Sequence, residues 1–162
     1  MSDPGNNKLM HHYLLRVIEF GPQVIGETLD QIDEKDWDTP THPDRFSPRE
    51  VIAHLRFWEP VAQGRLRAAA ENSGSEVLNW DEDQDVFDND YASKNPRQML
   101  AEWKAERART AEYIKSVDPA KYNNHVVHGM WGKITFDNLA NLAIAHDMYH
   151  IEQLANFVSR KS

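Results

Sequence analysis

Phe136-Asp-Asn-Leu139-Ala-Asn-Leu142-Ala143-Ile-Ala-His146-Asp-Met-Tyr-His150-Ile-Glu-Gln153-Leu154-Ala-Asn-Phe157 is the stretch on which the fold turns. Its apolar positions recur mostly every three or four residues, and neither Gly nor Pro interrupts them. That period predicts one amphipathic helix, beginning after Thr135 and running to about Val158. His146 and His150 fall on the same stripe as Phe136, Leu139, Leu142, Ala143, Leu154 and Phe157. Residues four apart differ by about 40° around a helix and one turn along it, so both imidazoles can aim at one point.

Working outward, three more segments carry helical periodicity. The first spans about Asn7 to Asp30, with a stripe of Met10, Tyr13, Leu14, Val17, Phe20, Val24 and Ile25. Gly21-Pro22 interrupts it, and Pro22 removes a donor and crowds the carbonyl of Ile18, which predicts a kink or short break. The second begins at Ser47-Pro48-Arg49-Glu50, with Ser as N-cap, Pro at the first helical position and Glu completing a capping box. Val51, Leu55, Trp58, Ala62 and Leu66 follow, and Asn72-Ser73-Gly74 stops it. The third opens at Asn95-Pro96, carries Leu100, Trp103, Thr110, Ile114 and Val117 with Arg107 mid-stripe, and ends at Asp118-Pro119. Four long helices in one domain over residues 1–162 predict an all-α four-helix bundle. The connections Gln31–Phe46, Ser73–Lys94 and Pro119–Lys133 are long, and the last is expected to hold a small hairpin around Val126-Val127 and Ile134.

The 162 residues include eight histidines and no cysteine. That excludes disulfides, thiolate zinc sites, iron–sulfur ligation and a cysteine nucleophile. Twenty-six acids against 18 bases give a net charge of −8, with no basic patch of the kind nucleic-acid binding requires. No apolar run approaches the roughly 18 residues of a membrane span. The polar Met1–Lys8 does not read as a signal peptide, so the expectation is a cytoplasmic protein acting on a small molecule, without nucleic acid or membrane partners.

Imidazole is the commonest protein ligand for zinc, nickel and iron, but an i, i+4 pair among eight histidines is weak alone. Placement adds weight, because two imidazoles on an apolar stripe cost desolvation unless each finds a partner. His54 lies beside the stripe of the second helix, flanked by Val51, Leu55 and Trp58. If the second and fourth helices face each other, three imidazoles converge, and three His ligands with an open fourth position is the pattern of a catalytic metal site. The competing reading is core histidines bonded to carbonyls or acids.

Ser47-Pro-Arg-Glu-Val-Ile-Ala-His54-Leu-Arg-Phe-Trp-Glu59, followed by His146-Asp-Met-Tyr-His150-Ile-Glu-Gln153, resembles the DinB-like (DinB/YfiT) superfamily of metal-dependent enzymes. That family carries one His on its second helix and H-D-x-x-H-x-x-Q on its fourth. The resemblance implies a four-helix bundle with a nickel, zinc or iron ion on His54, His146 and His150, and a homodimer. It implies a thiol-dependent S-transferase using a low-molecular-weight thiol such as bacillithiol or mycothiol, or alternatively a hydrolase. A non-catalytic stress or binding protein is the competing class. No residue stands out as the catalytic acid or base.

Other residues carry paired readings. Gln153 either orients His150 or is an ordinary buried amide. Trp58 reads as a core aromatic rather than a pocket wall, and Glu59 as a surface charge. Asp147 points off the stripe, toward another helix or solvent. Arg107 either reaches the pocket or is solvated, and solvation is the expectation. His125 and His128 either form a second metal site or line the pocket mouth, or are solvated loop residues, and solvation is the expectation; His42 carries no signal, and at most one of His11 and His12 faces inward. The acidic run Asp81–Asp90 lacks the Gly and Glu that a calcium loop requires and reads as a solvated segment.

Overall fold

Pro22 cannot donate to the carbonyl four residues back, and the first predicted helix breaks just before it. The computed structural model describes residues 4–159, with side chains from residue 11 onward; Met10 of the predicted stripe lies outside those side chains. Helix α1 spans Pro4–Val17 and α2 spans Gly21–Leu29. The inward face is Leu14, Ile18, Ile25 and Leu29, whereas Tyr13, Val17, Phe20 and Val24 are exposed. The segment carries two apolar stripes side by side, and packing selects the one not centred on the aromatics.

Helix α3 spans Pro48–Glu71, and its capping box forms as predicted. Ser47 Oγ accepts from Glu50 N (3.3 Å) and Glu50 Oε2 accepts from Ser47 N (2.9 Å). Strand β1 (Glu76–Val77) follows, then the short helix α4 (Glu82–Asn89). The acidic run is therefore folded, although its side chains remain largely exposed. Asn95 caps α5 (Pro96–Ser116) by accepting from the backbone N–H groups of Arg97 and Gln98. Strands β2 (His125–His128) and β3 (Gly132–Thr135) form the expected hairpin, with Val126 opposite Ile134, and β1 adds to β2 in parallel. Helix α6 (Phe136–Ser159) closes the chain's described part.

Helix α3 packs against α5 and α6, and α2 packs against the same two helices. Consecutive long helices α2 and α3, like α5 and α6, thus sit across the diagonals of a four-helix bundle. The long connections make this order reachable. Its consequence for the site is that α3 and α6 are neighbours.

The core has two parts. Leu14, Ile18, Leu66, Ile114, Phe136 and Ala140 belong to one, and Ile25, Leu29, Ile52, Leu55, Trp103 and Leu154 to the other. Glu59, Arg107 and Asp147 lie between them along α3, α5 and α6. The expectations of a surface Glu59 and a solvated Arg107 are both overturned: each is 2% exposed. Arg107 Nε donates to both oxygens of Glu59 (3.0 Å each), and its two terminal nitrogens donate to Asp147 at 2.5 and 3.0 Å. Glu59 also accepts from Trp103 Nε1 (2.9 Å) and Thr110 Oγ1 (2.6 Å). Burial works against the Arg107 charge, but Glu59 and Asp147 outweigh it and raise its pKa. A buried charge survives only when paired and hydrogen-bonded, which this layer satisfies on three helices at once.

Candidate metal centre

His54 on α3 and His150 on α6 are buried, and His146 is half-buried between them. All three rings converge. His54 Nε2 lies 3.0 Å from His146 Nε2, which lies 3.2 Å from His150 Nε2. One nitrogen from each ring falls within 4.8 Å of the other two. Two nitrogens bound tetrahedrally at zinc-like distances lie about 3.3 Å apart, so the spacing fits a shared ion.

The hydrogen bonds around the rings favour a metal over ordinary core histidines. The Phe46 carbonyl can only accept, and Gln153 Nε2 donates to it at 2.9 Å. Gln153 Oε1 therefore faces His150 Nδ1, 3.1 Å away, and the proton of His150 sits on Nδ1. Its Nε2 is left with a bare lone pair facing the other rings. Gln153 is thus a buried amide bonded to the backbone that also orients His150, so parts of both its expected readings hold. Meanwhile Nδ1 of His54 and Nδ1 of His146 are buried and, among the described residues, without a hydrogen-bond partner. The rings forgo those bonds and turn three Nε2 atoms toward one point.

Protonation does not compete for those lone pairs. Burial pushes His54 down to about 2, and repulsion from His150 and His146 adds to the effect. His146 falls to about 3, again chiefly by burial, with His150 and Arg107 adding. Burial takes His150 to about 4, with the Gln153 hydrogen bond opposing and Arg45 adding. Neutral imidazoles are the form a metal requires.

The centre opens on two sides. A polar cavity of 660 Å³ is lined by Asp44, Arg45, Glu50, Tyr149 and the three histidines. A second cavity of 310 Å³ is walled by Trp58, Trp80, Trp131, Met130 and Leu142. His54, His146 and Glu82 border both. Glu82 is exposed over much of its surface, yet partial desolvation of its carboxyl raises its pKa from the ordinary value, with repulsion from Asp83 and Asp85 adding.

The profile of the DinB superfamily matches residues 18–154. The chain belongs to the DinB superfamily. Several solved structures share its fold. One is YfiT from Bacillus subtilis, a probable metal-dependent hydrolase with an unusual four-helix bundle topology. It superposes with a TM-score of 0.86 at 18% identity, over 93% of this chain and 86% of YfiT. Another is a mycothiol-dependent maleylpyruvate isomerase, with a TM-score of 0.71 at 11% identity, over 88% of this chain and 60% of the isomerase. At those identities the likeness is one of fold. No curated protein sequence matches.

Around the centre of this DinB-superfamily chain, several expectations change. Trp58 walls the apolar cavity instead of filling core. Asp147, expected to meet another helix or solvent, is buried and meets α5 through Arg107. His128 is 3% exposed on β2 and lines the apolar cavity, and His125 contacts Ser73, so neither is a solvated loop residue. As expected of a pair of which at most one faces inward, His11 packs at a tilt against Tyr122 and shares a hydrogen bond with its hydroxyl (2.7 Å), while His12 is exposed; His42 is exposed too. Arg65, Trp80, Glu82 and Trp131 were not singled out as site residues. Arg65 had a signal: it lies eleven residues, about three turns, after His54 on the same helix face. Trp80, Glu82 and Trp131 lie in connections, where periodicity says nothing about facing.

Among the described residues, no helix is long and apolar enough to cross a membrane.

Proposed function

We propose that the chain is a metal-dependent enzyme acting on a small organic molecule, with a divalent ion on His54, His146 and His150. The carrying observation is the convergence of three neutral Nε2 donors beside two cavities. A structural metal site is normally closed by four protein ligands, whereas three ligands beside open space suit catalysis. Three neutral nitrogens suit nickel, zinc or iron alike. The ion supplies Lewis acidity, which lowers the pKa of a thiol or water.

The chain's own groups define what else the site does. Gln153 fixes the tautomer and orientation of His150. Trp58 and Trp80 keep water from one side of the centre. Glu82, bordering both cavities, is the carboxyl placed to hold or move a proton. The preferred reaction is thiol-dependent S-transfer. The chain has no cysteine, so any sulfur nucleophile enters as a cosubstrate, and the polar cavity leaves room for one. A mycothiol-dependent enzyme on the same fold agrees with this reading. Hydrolysis is the second reading, supported by Glu82 as a proton acceptor and by the fold shared with YfiT.

One experiment separates them. Protein prepared without an affinity metal is analysed for bound metal, then assayed on a panel of electrophiles with and without bacillithiol, mycothiol or glutathione. About one metal per chain and turnover that requires thiol are expected. Turnover without thiol selects hydrolysis. Absence of metal uptake defeats both.

A further inference from the structure

Arg65 is 5% exposed, and among the described residues no carboxylate pairs with it. One terminal nitrogen donates to the Leu78 carbonyl (3.0 Å), and the guanidinium lies 5.0 Å from the Trp58 ring centroid. This contrasts with Arg107, which has two carboxylates. Buried cations are ordinarily neutralised, so an unpaired one at the wall of a cavity marks where an anion belongs. His128 stands beside it. Its Nδ1 accepts from Met130 N (3.2 Å), which places the ring proton on Nε2, and among the described residues no side chain or carbonyl accepts from that Nε2. Both residues line the 310 Å³ cavity beside the metal centre.

The rest of that cavity is apolar. Trp58 and Trp80 pack 4.9 Å apart, and Trp131 stacks on His128 at 4.6 Å. Such walls suit a flat or aliphatic body. The larger cavity on the other side carries one cation, Arg45, against Asp38, Asp44, Glu50 and Asp83, an acidic balance that disfavours an anion. Glu82 borders the apolar cavity as well, but it is solvent-exposed and makes no ion pair with Arg65.

We infer that the apolar cavity takes an organic carboxylate, with its hydrocarbon body among Trp58, Trp80 and Trp131 and its carboxylate on Arg65 and His128. This deepens the metal-enzyme reading, and rests on it for calling that occupant the substrate. The reactive part of the molecule then faces His54 and His146, the metal ligands bordering the same cavity.

The test is calorimetric titration with cinnamate and its neutral counterpart cinnamamide, on the full chain both zinc-loaded and metal-stripped. Cinnamate is expected to bind about tenfold or more tightly than cinnamamide in both forms, as a charge-assisted bond in a dry site implies. Arg65→Gln should abolish that preference and leave cinnamamide within about threefold. Leu142→Glu, on an exposed position of α6 at the cavity wall, should weaken cinnamate selectively by about tenfold, whether or not the Arg65 variant folds. Equal binding of the two probes overturns the inference. So does a preference that needs zinc and survives Arg65→Gln, which puts the carboxylate on the metal. A preference that depends on Arg65 in a chain that takes up no metal supports the anion site while defeating the metal-enzyme reading.

Discussion

Gln153 ties the candidate metal centre to the loop ahead of α3. Its amide bridges the Phe46 carbonyl and His150 Nδ1, so one side chain sets both the tautomer and the ring orientation of a ligand. Outer partners of this kind typically govern metal affinity by 10–100-fold. Gln153→Leu is therefore expected to weaken zinc or nickel binding about 10–100-fold in competition with a chromophoric chelator. Gln153→Glu, which still accepts from Nδ1, should retain tight binding. Equal affinity in all three proteins would mean that Gln153 holds only the loop. The same burial that fits the rings for metal makes the metal-free chain acid-sensitive. His54, His146 and His150 all have folded pKa values below their ordinary 6.5. As pH falls below 6.5 the unfolded chain takes up protons that the folded chain refuses, so stability declines with acidification. For His150 the loss runs from 6.5 down to about 4, and for His146 on to about 3. Each histidine contributes a slope of about 1.4 kcal/mol per pH unit inside its window. Urea unfolding between pH 6 and 5, inside that window, should show a slope shallower by about that amount in metal-free His146→Gln. An unchanged slope would mean that His146 is protonated in the fold.

At the scale of elements, the start of α2 meets the charged layer of the core. A Cβ on Gly21 would overlap the Asp147 carboxylate that Arg107 holds. Gly21→Ala must then push Asp147 off its guanidinium partner or move α2 from α6. Overpacking of this kind costs about 1–3 kcal/mol, more if the ion pair breaks, and the urea midpoint should fall accordingly. A variant as stable as the parent would show that the layer yields freely. This layer also marks where sequence reading stops. Ser47 and Asn95 were legible as helix starts because cap chemistry is local: the donors and acceptors lie within three residues. His146, His150 and Gln153 were legible because they share a face of α6, and His54 because it lies beside the apolar stripe of α3. Glu59 and Arg107 were not, since each reads as a surface charge until the other is found across the bundle. The face of α1 and α2 was misread because Tyr13, Val17, Phe20 and Val24 repeat at the same period as the buried Leu14, Ile18 and Ile25. Only partners on α5 and α6 decide between such stripes. Trp80 and Trp131 joined the site through a sheet that pairs β1 with a hairpin distant in sequence.

At the scale of the whole molecule, the diagonal order of the helices would make a metal bound at the proposed centre a cross-link. Residues 54 and 146 belong to helices that are far apart in the chain and adjacent in the bundle. An ion shared by their imidazoles joins α3 to α6, and the unfolded chain cannot hold three ligands at such separation without losing loop entropy. Binding to the folded state alone stabilises it by RT ln(1 + [L]/Kd), about 2.7 kcal/mol at a hundredfold excess over Kd. For a chain of this size about 1 kcal/mol moves the melting temperature by roughly 2–4 °C. Zinc or nickel at that excess is thus expected to raise Tm by about 5–11 °C, and a chelator should reverse the shift. His54→Ala should abolish the metal-dependent difference whatever it does to the metal-free Tm, because it removes the ligand supplied by α3. His12→Ala, an exposed histidine away from the centre, should leave the shift intact. A shift that survives His54→Ala would place the ion on α6 alone, and the bundle order would then have no part in building the site.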